Sequence, residues 1–149
     1  NDKCKIVGID KCNGLVDICK KNGYNVIQSD IKSLPFEDNT FDFSMSIAVI
    51  HHLDKEEDRV KAVNELLRVI KPGGKLLITV WAFENDDYSK KKKFDIGDNI
   101  VKWNDRTKIS ERYYYIYNKL LFNKFCSKIE HNSIISYDRG NWNCIFIKN

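Results

Sequence analysis

No apolar run in these 149 residues approaches the ~20 that a membrane-spanning helix needs. With 31% charged side chains, the composition is not that of a membrane protein. No signal peptide is visible, and position 1 is Asn, so the sequence does not open on a natural start. The five cysteines (Cys4, Cys12, Cys19, Cys126 and Cys144) form no C-x-x-C pair. Their odd number, and the apolar patterns around several of them, argue for reduced structural thiols in a cytosolic or nuclear compartment. There is no internal repeat, and the length allows at most one domain.

What is present is unevenly charged. Residues 1–85 carry 12 basic and 13 acidic side chains, while residues 86–149 carry 13 and 8. The net charge of +4 therefore sits in the second half. Such an asymmetry suits an anionic partner, although solubility alone explains it equally well.

The pattern of elements predicts an α/β fold. Lys5–Asp10 and Tyr24–Asp30 read as strands, each ending in an acid. Between them, Leu15, Ile18 and Cys19 recur at helical spacing, and Gly23 stops the helix. A loop carrying Pro35 and Asn39 leads to a third strand, Phe43–Ile50, apolar on both faces as in a parallel sheet. A helix follows from Lys55 to about Lys71, with Val60, Val63, Leu66, Leu67 and Ile70 on one face. Asp54 and Glu57 have capping-box spacing, and Pro72-Gly73-Gly74 reads as the tight turn that ends the helix. Lys75–Ala82 is a fourth strand. Residues 84–111 lose all periodicity and read as a loop or insertion containing Lys90–Lys93. Leu120–Ile129 is a short helix, and Ser133–Tyr137 and Trp142–Ile147 form a closing antiparallel pair.

In an open α/β sheet, ligands bind beyond the carboxyl ends of the strands. Asp10 and Asp30 both fall on that rim. One can accept hydrogen bonds from a ribose diol and the other from an adenine amino group, so the pair is a nucleoside signature. The plainer reading is two solvated strand-end acids.

The motifs "GIDKCNGL", "SDIKSLPFEDNTFDFSMSIAVIHHL" and "ELLRVIKPGGKLLITVWA" resemble the class I S-adenosylmethionine-dependent methyltransferases. More narrowly, "SIAVIHHL", "VWAFE", "RYYYIYNKLLFNKFC" and "YDRGNWNCIFIK" look like the eukaryotic tRNA wobble-uridine methyltransferases. That family esterifies 5-carboxymethyluridine, and in animals the related domain is fused to an AlkB-type dioxygenase. The resemblance implies a Rossmann-like, mostly parallel sheet with an antiparallel C-terminal strand pair. It spans residues 1–149 as a single domain, with 84–111 as the loop or insertion. One feature departs from the family. The Gly-rich loop "DxGCGxG" and the strand before it do not occur in this sequence. In the family's strand order that strand lies between "KIVGID" and "FSMSIAVI". Its loss would leave two half-sheets with exposed inner edges, so the chain reads as an N-terminally incomplete fragment. The alternative is a degenerate domain that no longer binds cofactor.

The resemblance implies S-adenosylmethionine as cofactor, with S-adenosylhomocysteine as product. Its contacts would be Asp10, Lys11, Ser29, Asp30, Ile31, Ile47, Ala48 and His52. A carboxylate nucleophile is already ionised at neutral pH, because a carboxyl pKa is about 4, and it needs no general base. Alignment then supplies most of the acceleration, up to ~7–11 kcal/mol. A guanidinium can hold the second carboxylate oxygen, and Arg139 and Arg112 are the candidates. His51 and His52 close the third strand, where neighbours point to opposite faces. One of them orients the substrate, with His51 placed in the catalytic set. A general base is the lesser functional reading, and the plainer reading is that both cap the following turn. Trp81, Tyr113, Tyr114 and Trp142 are candidates for stacking on a base, and Lys90 and Lys91 for phosphate contacts. Trp81 reads equally as a core aromatic, and the lysine run as a solvated loop. The implied partners are the tRNA anticodon loop and a small zinc-binding activator protein, with no membrane. A small-molecule methyltransferase of the lipid or quinone type is the alternative, and no metal site is expected.

Overall fold

The computed structural model describes residues 4–84, 94–104 and 109–149, with the backbone alone at 103, 104 and 109. Strand β1 (Gly8–Asp10), helix α1 (Asn13–Lys21) and strand β2 (Val26–Gln28) form a small parallel βαβ unit. Strand β3 (Phe41–Ile47), helix α2 (Glu56–Arg68) and strand β4 (Ile70–Trp81) form a second one. Strands β5 (Gly97–Asn104) and β6 (Ile109–Ile116) make an antiparallel hairpin. Helix α3 (Lys119–Cys126) leads to β7 (Asn132–Asp138) and β8 (Asn141–Ile147).

The main sheet runs β3-β4-β8-β7, parallel at its first pairing and antiparallel at the other two. Its register puts Ser46, Ile78, Cys144 and Ile135 in one row, and Leu76 beside Phe146. That face packs on α2 and α3. Ala62, Val63, Leu66 and Leu67 join Leu76, Ile78, Val80, Phe122, Phe125 and Phe146 in one buried cluster. An aromatic such as Phe122, fully buried, contributes ~3–5 kcal/mol by comparison with alanine.

The opposite face is different. The sequence reads β3 as apolar on both sides and therefore buried on both. In the structure Phe43, Met45 and Ile47 are each about half exposed, at 44%, 54% and 56%. The β1–β2 pair is a separate sheet, as expected for two half-sheets. Side chains tie it to the rest: Lys32 pairs with Asp58 at 2.8 Å, and Glu65 accepts the Leu34 N–H at 2.8 Å.

Four local expectations are corrected. The third strand ends at Ile47, not Ile50, because Ala48 turns into the left-handed region at φ 55°. The capping box does not form. Lys55 is the N-cap residue, and the Asp54 carboxylate accepts the Lys55 N–H instead. Pro72-Gly73-Gly74 lies within β4, not at a helix stop, because Gly73 and Gly74 exchange backbone bonds with Lys148 at 2.8 and 3.0 Å. Finally, part of the 84–111 segment is regular, since Gly97–Asn104 pairs with Ile109–Ile116. Among the described residues, no helix is long and apolar enough to cross a membrane.

Candidate functional site

The carboxyl ends of β1 and β2 bring Asp10 and Asp30 to one rim. Asp10 accepts the Cys12 N–H at 2.7 Å, which opens α1, and its carbonyl accepts the Ser29 N–H at 3.0 Å. Asp30 accepts the Lys32 N–H at 2.9 Å and pairs with the exposed Lys11 ammonium at 3.1 Å. The Lys32 N–H first, and Lys11 after it, hold the Asp30 carboxyl below the usual carboxylate range. Ser29 turns its hydroxyl to the Ser33 carbonyl at 3.0 Å, and Ile31 packs against the core. Five of the expected cofactor contacts thus share one stretch of rim.

Beyond β3, the chain leaves the sheet at Ile47 and Ala48. Ala48 keeps one bond to β4, donating to the Thr79 carbonyl at 2.9 Å. A left-handed alanine costs roughly 1–2 kcal/mol, and such strain concentrates where a backbone is shaped for a ligand. A short 3₁₀ turn, Ile50–His52, then carries both histidines. They do not alternate across a strand, as the sequence suggests, but occupy successive positions of a turn. His51 is fully buried, and His52 is exposed. The His51 Nδ1 accepts the Trp81 N–H at 3.2 Å, so the neutral ring carries its proton on Nε2. That Nε2 has no hydrogen-bond partner among the described residues. Burial, and then the neighbouring His52, push the His51 pKa down to about 3. The His52 Nδ1 lies 2.9 Å from the Tyr113 carbonyl, to which it donates.

The β5–β6 hairpin docks on this turn and completes an aromatic wall. Tyr114 stacks on Trp81 with centroids 4.8 Å apart and planes 17° apart, and, at 4% exposed, it is a buried backing for Trp81 and not the expected free stacking face. It also meets His51 at 5.4 Å and His52 at 4.4 Å. Phe94 lies 6.0 Å from Trp81. Tyr113 points the other way, as strand alternation requires. Its hydroxyl meets the Asp98 carboxylate and lies 3.2 Å from the Asp54 carbonyl. Burial, and then Asp98, push its pKa up to about 12.

The structure also brings the two arginines to this rim. Arg112 is two residues from Tyr114 and on the same strand face, opposite Val101. Arg139 sits in the β7–β8 turn at φ 44°, with its side chain 92% exposed. That turn abuts the end of β4, where Ala82 donates to the Gly140 carbonyl at 2.9 Å. Trp142 is not free to stack on a ligand. It is buried, and its indole N–H is given to Glu84 at 2.9 Å. Lys90 and Lys91 lie outside the described residues.

Two residues that sequence reasoning passed over belong here. Arg59, only 3% exposed, donates to the carbonyls of Leu53 and Asp54 at 2.6 and 3.0 Å. Its guanidinium also lies 4.0 Å above the Tyr115 ring. It joins the histidine turn to the hairpin. Nothing in the helical pattern distinguishes it from a solvated arginine. Glu84 is the other, and its only signal is its place in "VWAFE".

Comparison with known proteins places these features. The family model described as "Methyltransferase domain" matches residues 1–78. The tRNA (carboxymethyluridine(34)-5-O)-methyltransferase of Arabidopsis thaliana is 46% identical over 89 residues, covering 60% of this chain and 22% of that protein. The chain thus spans about a fifth of the length of the first curated relatives it matches. A solved SAM-dependent methyltransferase from Methanosarcina mazei superposes with a TM-score of 0.73 at 16% identity, covering 95% of this chain and 81% of its own. A Haloferax volcanii methyltransferase, solved in complex with the Trm112 methyltransferase activator, superposes at 0.58 and 14% identity, covering 95% and 70%.

Proposed function

This chain belongs to the methyltransferase-domain family, and we propose that it transfers the methyl group of S-adenosylmethionine to the carboxylate of 5-carboxymethyluridine at the tRNA wobble position. The observation that carries this reading is the Trp81–Tyr114 stack at the end of β4, with Arg112 on the Tyr114 face of its strand and the Arg139 turn bonded to Ala82. A nucleobase needs a flat aromatic face, and its carboxymethyl arm needs a cation. The naming of the Arabidopsis relative supports the same substrate.

The residues present fit the nucleoside half of the cofactor. Asp10 and Asp30 are carboxylate acceptors on one rim, and the strained Ala48 breaks the backbone out of the sheet at the end of β3. When bound, S-adenosylmethionine supplies a methyl group on a sulfonium. The chain's own part is alignment. Trp81, backed by the buried Tyr114 ring, offers the face for the base, and Arg139 or Arg112 engages one carboxylate oxygen so that the other is aimed. His52 donates its Nδ1 proton to the Tyr113 carbonyl, which fixes its exposed ring against Tyr114 at 4.4 Å. His51, neutral in the folded state, orients and does not act as a base.

A small zinc-binding activator protein is the partner that fits. Ile6, Leu15, Ile18 and Tyr24 stand exposed around the β1–β2 unit and give it an apolar surface to cover. A tRNA substrate places the protein in the cytoplasm, and in part in the nucleus, where free thiols are stable.

The test is a transfer assay. The full protein that carries this chain, with and without the activator, is given S-adenosylmethionine labelled on its methyl group. The acceptor is tRNA bearing 5-carboxymethyluridine. Label in RNA that mild alkali releases as methanol supports the ester. Alkali-stable label, or label only in a lipid or quinone fraction, would sink the reading.

A further inference from the structure

The β7–β8 turn that carries Arg139 is bonded to the end of β4 through Ala82, and side chains of its two stems are held by one further residue, Glu84. Tyr137 and Trp142 face each other across the next-to-last pairing before it, with rings 5.1 Å apart. The Tyr137 hydroxyl donates to the Glu84 carbonyl at 2.6 Å. The Trp142 indole donates to the Glu84 carboxylate at 2.9 Å. The other carboxylate oxygen of Glu84 accepts the Lys119 N–H at 2.8 Å, in the first turn of α3. Glu84 itself follows Trp81 by three residues. Between them, Phe83 donates to the Tyr117 carbonyl at 2.8 Å. One side chain and its own carbonyl therefore grip both stems of the Arg139 turn. The same segment is anchored to the strand that bears the stacking wall.

We infer that Glu84 is a positioning residue that sets the distance between Arg139 and the Trp81–Tyr114 wall, and through it the selectivity for a carboxylate on the base. Arg139 cannot do this unaided. Its side chain is 92% exposed, its backbone is left-handed, and among the described residues its ion pair is with Asp138 at a loose 4.0 Å. A guanidinium on an unrestrained turn loses its fork geometry to rotamer entropy. Pinning the turn from Tyr137 and Trp142 removes the backbone share of that freedom without touching the ligand, so that the Arg139 rotamers fan out from a fixed Cα. The inference rests on the reading of Arg139 as the carboxylate clamp.

The test uses the full protein carrying this chain and two anticodon stem-loop RNAs, one with 5-carboxymethyluridine and one with uridine. Affinities are measured for wild type, Glu84→Gln, Glu84→Ala, Arg139→Ala and the Glu84→Ala/Arg139→Ala pair. Amide exchange of residues 137–142 is followed in parallel. Wild type is expected to prefer the carboxylate RNA by about tenfold, the scale of one charge-assisted hydrogen bond. Glu84→Ala is expected to erase that preference while leaving uridine binding intact. The double variant is expected to lose nothing more than Arg139→Ala alone, since the two act through one contact. Glu84→Gln, which keeps one acceptor, is expected to retain part of it. Exchange in 137–142 should quicken in Glu84→Ala and stay unchanged in α2. Unchanged exchange, or a selectivity loss additive to that of Arg139→Ala, overturns the role of Glu84. A wild type without preference, combined with quickened exchange, overturns the carboxylate reading of Arg139 and leaves the grip of Glu84 standing.

Discussion

The Nδ1 of His51 accepts the backbone N–H of Trp81 at 3.2 Å, so the histidine turn and the end of β4 share one buried hydrogen bond. Holding that acceptor requires the neutral ring, and burial keeps the pKa near 3 against an unfolded value of about 6.5. Between those values the unfolded chain binds the extra proton, so stability falls as pH falls through this window. The steepest slope is about 1.4 kcal/mol per pH unit. Urea melts of the wild type from pH 7.5 to 5 should show this loss. His51→Leu should flatten the slope while lowering stability at pH 7.5 by ~1–3 kcal/mol, because the Trp81 N–H is left unpaired. Equal slopes in both proteins would remove His51 as the cause.

The Trp81–Tyr114 stack offers a second test. Tyr114→Ala removes the buried ring that backs Trp81 and should weaken binding of an anticodon stem-loop by ~1–3 kcal/mol, the usual contribution of the one base–aromatic contact that Trp81 then loses. Tyr114→Phe, which keeps the ring, should bind as wild type does. Anisotropy titration separates the two. Equal affinity for all three proteins would reduce the stack to core packing.

Asp10→Asn isolates the cofactor rim. Asparagine retains an oxygen for the Cys12 N–H but loses the charge and one acceptor. Calorimetry on the full protein should show at least roughly tenfold weaker S-adenosylmethionine binding, equivalent to ~1.4 kcal/mol, with an unchanged melting temperature. Unaltered affinity would make Asp10 a helix-opening residue and nothing more.

Gly74 sits against the neighbouring strand. A Cβ there would stand 2.8 Å from the Asp42 carbonyl oxygen and 2.9 Å from that of Lys71. Both are backbone atoms and cannot swing away. Gly74→Ala should therefore cost ~1–3 kcal/mol in denaturant melts, as overpacking does. A cost near zero would mean that the bulge between Phe41 and Phe43 relaxes freely.

The exposed face of β3 predicts behaviour in solution. Phe43, Met45 and Ile47 lie on one face of a strand whose second edge is unpaired among the described residues. Such edges template association. The isolated 149-residue chain should self-associate in light-scattering measurements, and Met45→Lys should suppress it. Monodisperse wild type at high concentration would show that the edge is covered.

Most of the α/β framework is legible from hydrophobic periodicity, because α2, β4 and β8 each carry a strong apolar stripe. The Asp10–Asp30 rim is legible for the same reason, since an acid closing an apolar run marks a strand end. The hairpin is not. Its stems place Asn99 opposite Tyr114 and Asp98 opposite Tyr115, so polar residues interrupt any period-2 signal. The histidine pair misleads because the left-handed Ala48 ends the strand three residues early, and alanine carries no signal for that conformation. Arg59 and Glu84 matter through backbone carbonyls and indole or amide N–H groups contributed by distant segments. Such partners leave no trace in linear spacing.

The position of β8 has a consequence for biosynthesis. Residues 141–147, the latest strand in chain order, fill the slot between β4 and β7. The Lys148 ammonium then closes the end of α2, reaching the carbonyls of Arg68 and Ile70 at 3.0 and 2.8 Å. A ribosome delivers these residues after all the others described here. Until they clear the exit tunnel, β4 has no partner on that side, and Leu76, Ile78 and Val80 lack their facing row. The nascent domain must wait with its central strands open, and any chaperone that attends it has to recognise β4.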